Sequence, residues 1–63
     1  MNEEIDKLIQ KTTLELLKHK EYKDIQMKEI AEKANIGRRT LYRYFAYKDE
    51  IMRRIVLRES EGE

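Results

Sequence analysis

Sixty-three residues make one domain at most, and a chain this short buries only roughly 60% of the surface its unfolded form exposes, so a large ligand cavity is excluded and stability is marginal. With no Cys there is neither a disulfide framework nor a thiolate metal site, and the single His19 cannot build an imidazole cluster, so no cofactor is expected. The net charge is only +1, no apolar run approaches the ~18–20 residues a bilayer span needs, and Asn2, Glu3, Glu4 and Asp6 are the wrong start for a secretory signal, so the chain reads as soluble and cytoplasmic, without a membrane partner.

There is no Pro, and one of the two Gly is the penultimate residue, so no linker divides residues 1–63 and the chain is one unit without repeats. Ile5, Leu8/Ile9, Thr12/Thr13 and Leu16/Leu17 recur with a 3.6-residue period and predict a first helix from about Glu3 to Lys18. Asn2 can cap it, Glu3 and Glu4 suit its positive dipole end, and Lys18, His19 and Lys20 suit the negative end. Tyr22 and Ile25 interrupt the period as apolar plugs under a short charged connection. Met27, Ile30, Ala31 and Ala34 then predict a second helix of about two turns, stopped at Ala34-Asn35-Ile36-Gly37 by residues that open the backbone. A third helix starts near Gly37 and carries Leu41, Tyr42 and Phe45 on one side. After an Ala46-Tyr47 junction, Ile51, Met52 and Ile55 predict a fourth of about ten residues from Lys48.

The two middle helices make steric demands that few sequences meet. Ala31 is small where the next helix passes closely, Asn35 takes the positive φ of the turn with Gly37 giving further freedom, and Leu41 returns the later helix onto Ile30 and Ala34. Those spacings are the signature of a helix-turn-helix over about residues 26–45. The fold class is therefore all-α: a three-helix, homeodomain-like bundle plus the start of a fourth, connecting helix.

Charge is unevenly spread. Residues 1–10 sum to −2, residues 11–36 to +1, residues 37–58 to +5 and residues 59–63 to −3. A cationic block of this kind either binds a polyanion or is a solvated helix face. With Leu41 and Phe45 inward, Arg38, Arg39, Thr40, Tyr42, Arg43 and Tyr44 fill the remaining arc or its edges with donors suited to the DNA major groove. Arg39 and Arg43 can offer paired N–H donors to guanine, bind phosphate or stand idle; Tyr42 and Tyr44 can be core, contact, or both at once. Lys48 sits as a cation at a helix start, a disfavoured place that suggests an anionic partner, with solvated surface as the alternative.

The stretch from Glu29 to Ile51, with Ile30-Ala31, then Thr40-Leu41-Tyr42-x-x-Phe45, then Lys48-x-x-Ile51, resembles the N-terminal DNA-binding domain of the tetracycline-repressor (TetR) family of transcriptional regulators. Leu16-Leu17 followed by Tyr22 extends the similarity into the first helix. The resemblance implies an operator-binding homodimer, a repressor that lets go when a larger C-terminal domain binds a small-molecule effector. It places Arg38, Arg39 and Arg43 at base-reading positions, Gly37, Tyr42, Tyr44 and Lys48 at phosphate-holding ones, and Gln26 and Lys28 at second-helix contacts. Departures are Glu21 for the family's usual Gly, Gln26 for a capping Ser or Thr, Asn35 for Gly in the turn, Gly37 for a phosphate-binding Ser, and Tyr47 for a short cap. The acidic residues before the first helix predict no minor-groove arm. The chain stops in or just after the fourth helix, so the expectation is an isolated domain, monomeric alone, that lacks the effector and dimerisation domain.

No nucleophile–base pair, apolar-set carboxylate pair or phosphate-cradling Gly loop is present, so an enzyme is not expected. A three-helix protein-interaction module is the competing reading, because fold alone does not fix function.

Overall fold

The computed structural model describes residues 2–61, with side chains to residue 58, and within them the chain is entirely helical and loop. Four helices, α1 (Glu3–Leu17), α2 (Met27–Ala34), α3 (Arg38–Tyr44) and α4 (Lys48–Glu61), are joined by short connections, the first of which winds into a single 3-10 turn at Tyr22–Asp24. α1 packs on α2 and α4, and α2 packs on α3. None of the described helices is long and apolar enough to cross a membrane.

The expected first cap is present: Asn2 Oδ1 accepts from the Glu4 N–H at 2.8 Å, and Glu3, Glu4 and Asp6 occupy the first turn. The basic residues lie just past the other end, where the Lys18, His19 and Lys20 amides close the helix on the Glu15 and Leu16 carbonyls. Ile9 and Thr13 are fully buried, and the Thr13 hydroxyl satisfies itself on the Ile9 carbonyl at 2.9 Å. Leu8, paired with Ile9 in the sequence reading, is instead 38% exposed, because a face centred on Ile9, Thr13 and Leu16 leaves Leu8 about 100° away. Ile25 plugs the core as expected, beside Ile30 and Ala31 of α2, Leu41 of α3, the following Phe45, and Ile51 and Ile55 of α4. Each such isoleucine or leucine contributes about 1.5–3 kcal/mol by leaving water.

The turn between α2 and α3 is a Schellman closure. Asn35 is left-handed at φ 60° and ψ 43°, its N–H reaches the Glu32 carbonyl at 3.1 Å, and the Ile36 N–H reaches back to Ala31 at 3.0 Å. Ile36 then packs against the core, the apolar contact that accompanies this motif. Gly37 does not supply the freedom expected of it: at φ −71° and ψ 152° it is ordinary extended backbone at the start of α3. Glu21 is extended as well, at φ −77° and ψ 152°, so no glycine is required there. α4 runs for 14 residues rather than about ten. Its apolar stripe ends at Ile55; beyond it the strong helix formers Leu57, Arg58, Glu59 and Glu61 outnumber Val56 and Ser60, and Val56, Leu57 and Arg58 continue the helix exposed. With Tyr47 in place of a short cap, Glu50 closes the helix start by accepting from the Ala46 N–H at 2.7 Å.

Candidate nucleic-acid interface

α3 has one side committed to the core, where Leu41 is fully buried and Phe45, just after it, is 3% exposed. At about 100° per residue, Arg39 and Arg43 fall within about 20° of the direction opposite Leu41, and Tyr42 and Thr40 fall about 100° to either side. The accessibilities agree: Arg38, Arg39, Tyr42 and Arg43 are exposed, and Thr40 and Tyr44 are half-buried. This corrects the grouping of Tyr42 with Leu41 and Phe45, since the Tyr42 ring is 50% exposed and lies on the donor arc. The helix is seven residues long, roughly 10 Å, and of a diameter the major groove admits.

Among the described residues, Arg38, Arg39 and Arg43 have no ion-pair or side-chain hydrogen-bond partner. Two other cations of the same block, Arg54 and Lys48, are engaged internally. Arg54 pairs with Asp6 at 2.6 Å, lies over the Phe45 ring at 5.6 Å, and shares Asp6 with the Gln10 amide. Arg39 and Arg43 therefore hold their guanidinium donors opposite Leu41 without a described acceptor, and Arg38 adds a third at the helix start, a surface chemically matched to phosphate and guanine edges.

The start of α2 is organised by Glu29. Its carboxylate accepts from the Gln26 N–H at 3.2 Å and pairs with Lys20 at the end of α1, and these two partners, the Lys20 ammonium first, hold the Glu29 carboxyl below the usual glutamate value. Gln26 and Lys28 are both exposed beside this turn.

Tyr44 is used twice. Its ring packs on the core, and its hydroxyl accepts from the Asn2 N–H at 3.0 Å, which leaves its own proton available for donation. Lys48 departs from its sequence reading. A cation at the positive end of a helix dipole suggests an anionic partner or a solvated surface; here its ammonium donates to the Tyr22 carbonyl at 2.7 Å and the Ile25 carbonyl at 2.8 Å, and sits 4.5 Å from the centre of the Tyr22 ring. Beside it, the Tyr22 hydroxyl donates to the Asp49 carboxylate; burial first, then that bond, pushes the Tyr22 pKa up to about 12. Sequence reasoning found Tyr22 as a plug and missed this grip, as it missed the bonds from Asn2 to Tyr44 and from Asp6 to Arg54. They join residues 27, 42 and 48 positions apart, and no local period signals such pairs.

Residues 9–55 match the family described as bacterial regulatory proteins, tetR family. A curated relative from Bacillus subtilis (strain 168), named as the uncharacterized HTH-type transcriptional regulator YxbF, is 37% identical over 62 residues. That alignment covers 98% of this chain and 16% of the relative, so the chain spans about a sixth of that protein's length. No solved structure matches.

Proposed function

The chain belongs to the tetR family of bacterial regulatory proteins, and on that premise we propose that it reads double-stranded DNA as the operator-recognition domain of a cytoplasmic transcriptional repressor. Arg39 and Arg43 read base edges in the major groove, with Arg38 at the near edge of the same arc. Thr40, Tyr42, Tyr44, the Gly37 backbone N–H, Gln26 and Lys28 hold the flanking phosphates and fix the register. The observation that carries this reading is the pair Arg39 and Arg43, exposed and unpartnered among the described residues on the face of α3 opposite Leu41, with exposed Arg38 beside them at the helix start. Within a longer protein the domain works as one half of a homodimer on a palindromic operator and is released when an effector binds elsewhere in that protein.

The test is a duplex selected by the protein from a randomised pool, titrated at rising salt. Several phosphate contacts give a linear loss of log affinity with log salt, at about 0.9 per contact. A flat response would refute DNA reading and favour a protein-interaction module.

A further inference from the structure

The start of α1 and the end of α3 meet, although 42 positions separate them. Tyr44 is the last residue of α3; its ring packs on the core while its hydroxyl accepts the Asn2 N–H at 3.0 Å. Asn2 is itself held, because its Oδ1 takes the Glu4 N–H at 2.8 Å, so one residue caps α1 through its side chain and reaches α3 through its backbone. We propose that Asn2 is a positioning residue for DNA binding: its N–H occupies the Tyr44 oxygen on one side and so turns the hydroxyl proton away from α1, ready for a backbone phosphate. The inference rests on the DNA-reading function proposed above, and within it on Tyr44 as a phosphate holder.

Conjugation with the ring keeps a phenolic proton close to the ring plane, and a donor already at the oxygen repels that proton from its own side. Orienting the donor before DNA arrives lowers the ordering cost of the contact. The bond is exposed, so a phosphate can reach the hydroxyl. Asn2 does not meet Tyr44 as a loose chain end. One turn into α1, Asp6 pairs with Arg54 at 2.6 Å, and the Arg54 guanidinium lies 5.6 Å from the ring centre of Phe45, the residue after Tyr44. The amide of buried Gln10 donates to the other oxygen of the same carboxylate at 2.7 Å. The beginning of α1 is therefore tied to the end of α3 at two points. Glu3, Glu4 and Asp6 also fill this first turn, a surface that repels phosphate, so α1 acts on DNA through Tyr44 and not by touching it.

The test is a set of substitutions on the selected duplex, each protein checked by mass to retain Met1. Tyr44→Phe should weaken binding about tenfold by deleting the hydroxyl. Asn2→Pro deletes the N–H at a φ of −79° that proline adopts, and should weaken binding about threefold. Asn2→Ala loses the same cap but keeps the N–H, so it should melt lower, as the Pro variant does, yet bind as the parent does. In the Tyr44→Phe background Asn2→Pro should cost less than about 1.5-fold, because the oxygen it orients is gone. Equal binding losses for Ala and Pro would mean that Asn2 acts only through the stability of α1, and costs that multiply in the cycle would mean a route independent of Tyr44; either overturns the proposal. An unweakened Tyr44→Phe also overturns it, while leaving base reading by Arg39 and Arg43 in place. One measurement needs no variant: the nuclear Overhauser effect between the Asn2 amide proton and the Tyr44 ring protons beside the hydroxyl should be present in the free protein and persist in the complex, and its absence from either would overturn the proposal. A flat salt response of the unmodified protein is a separate result, which removes the DNA reading and this proposal together.

Discussion

Gly37→Ser is the sharpest single probe of the junction between the two middle helices. The residue precedes α3 with extended dihedrals of −71° and 152° that any L-residue adopts, and the only atom near an added Cβ is Thr40 Oγ1 at 4.0 Å, an ordinary contact. A serine hydroxyl here can accept from the free N–H of Arg39 or Thr40, which no side chain caps now. Ser exceeds Gly at such a cap by only a few tenths of a kcal/mol, and relieving glycine's freedom in the unfolded chain contributes about 0.4–1 kcal/mol. The two figures are not added, because a measured cap substitution already contains the backbone component. The net gain is therefore about 0.3 kcal/mol, equivalent to about 1–2 °C in the melting temperature of a domain this small. Gly37→Ala is the control: it offers no hydroxyl, and because Ala ranks below Gly at an N-cap with the backbone component included, it should melt below both the parent and the Ser variant. Thermal unfolding followed by circular dichroism reads all three. Ala equal to or better than Ser would show that no cap forms, and a destabilised Ser variant would show that the space or the backbone angle is misassigned.

Asn35→Ala should lose about 1 kcal/mol in the same melt, because alanine resists the left-handed angles that Asn tolerates, while Asn35→Gly should hold or gain stability; equal melting of all three would contradict the positive φ. Arg39→Ala should cost about 1–3 kcal/mol on the selected duplex and much less on random DNA, narrowing the ratio between them, and equal losses on both would remove its base-reading role. Glu29 titrates below the usual glutamate value in the folded chain, so its contribution is complete above that value, about 4.3, and is lost as pH falls through the lower folded one. Glu29→Gln should therefore show a shallower decline of melting temperature in acid, and an unchanged decline would dismiss the Lys20 and Gln26 contacts. Tyr22 has the opposite sign: its pKa is raised to about 12 from about 10, so its contribution stands below pH 10 and disappears as pH climbs towards 12, a loss that Tyr22→Phe should abolish.

The elements built from short-range spacing were legible in the sequence. The apolar period placed α1 within a residue of its observed end, and Ala31, Asn35 and Leu41 located the turn, because a small residue, a left-handed angle and an apolar anchor are each demanded by one local clash or void. Long-range polar contacts were not legible. The internal acceptors of Lys48 could not be foreseen, because they are backbone carbonyls more than twenty positions earlier, and carbonyls leave no trace in side-chain identity. Gly37 misled in the opposite direction, since composition suggests freedom where the chain uses none. Leu8 and Ile9 of α1 show a third limit: adjacent apolar residues announce a face without saying which of them centres it, and Leu8 lies outside it.

These long-range contacts also decide how a nearly neutral chain can present a selective cationic surface. Residues 37–58 carry seven Lys or Arg against two acids, and a solvated block of that composition would attract any polyanion. The fold divides it. Arg54 is drawn to Asp6 across the bundle and Lys48 to two carbonyls beneath it; of the five arginines without a described partner, Arg53 and Arg58 lie on α4, and three project from α3, whose orientation Leu41 and Asn35 fix. Non-specific attraction scales with the number of free charges, whereas base readout depends on a few guanidiniums held at the right angle. Internal pairing of the surrounding cations therefore lowers the first without touching the second. It follows that Asp6→Asn, by freeing Arg54, should steepen the salt dependence of binding to random DNA more than that of the selected duplex, and an equal change in both would show that Arg54 lies too far from the groove to matter.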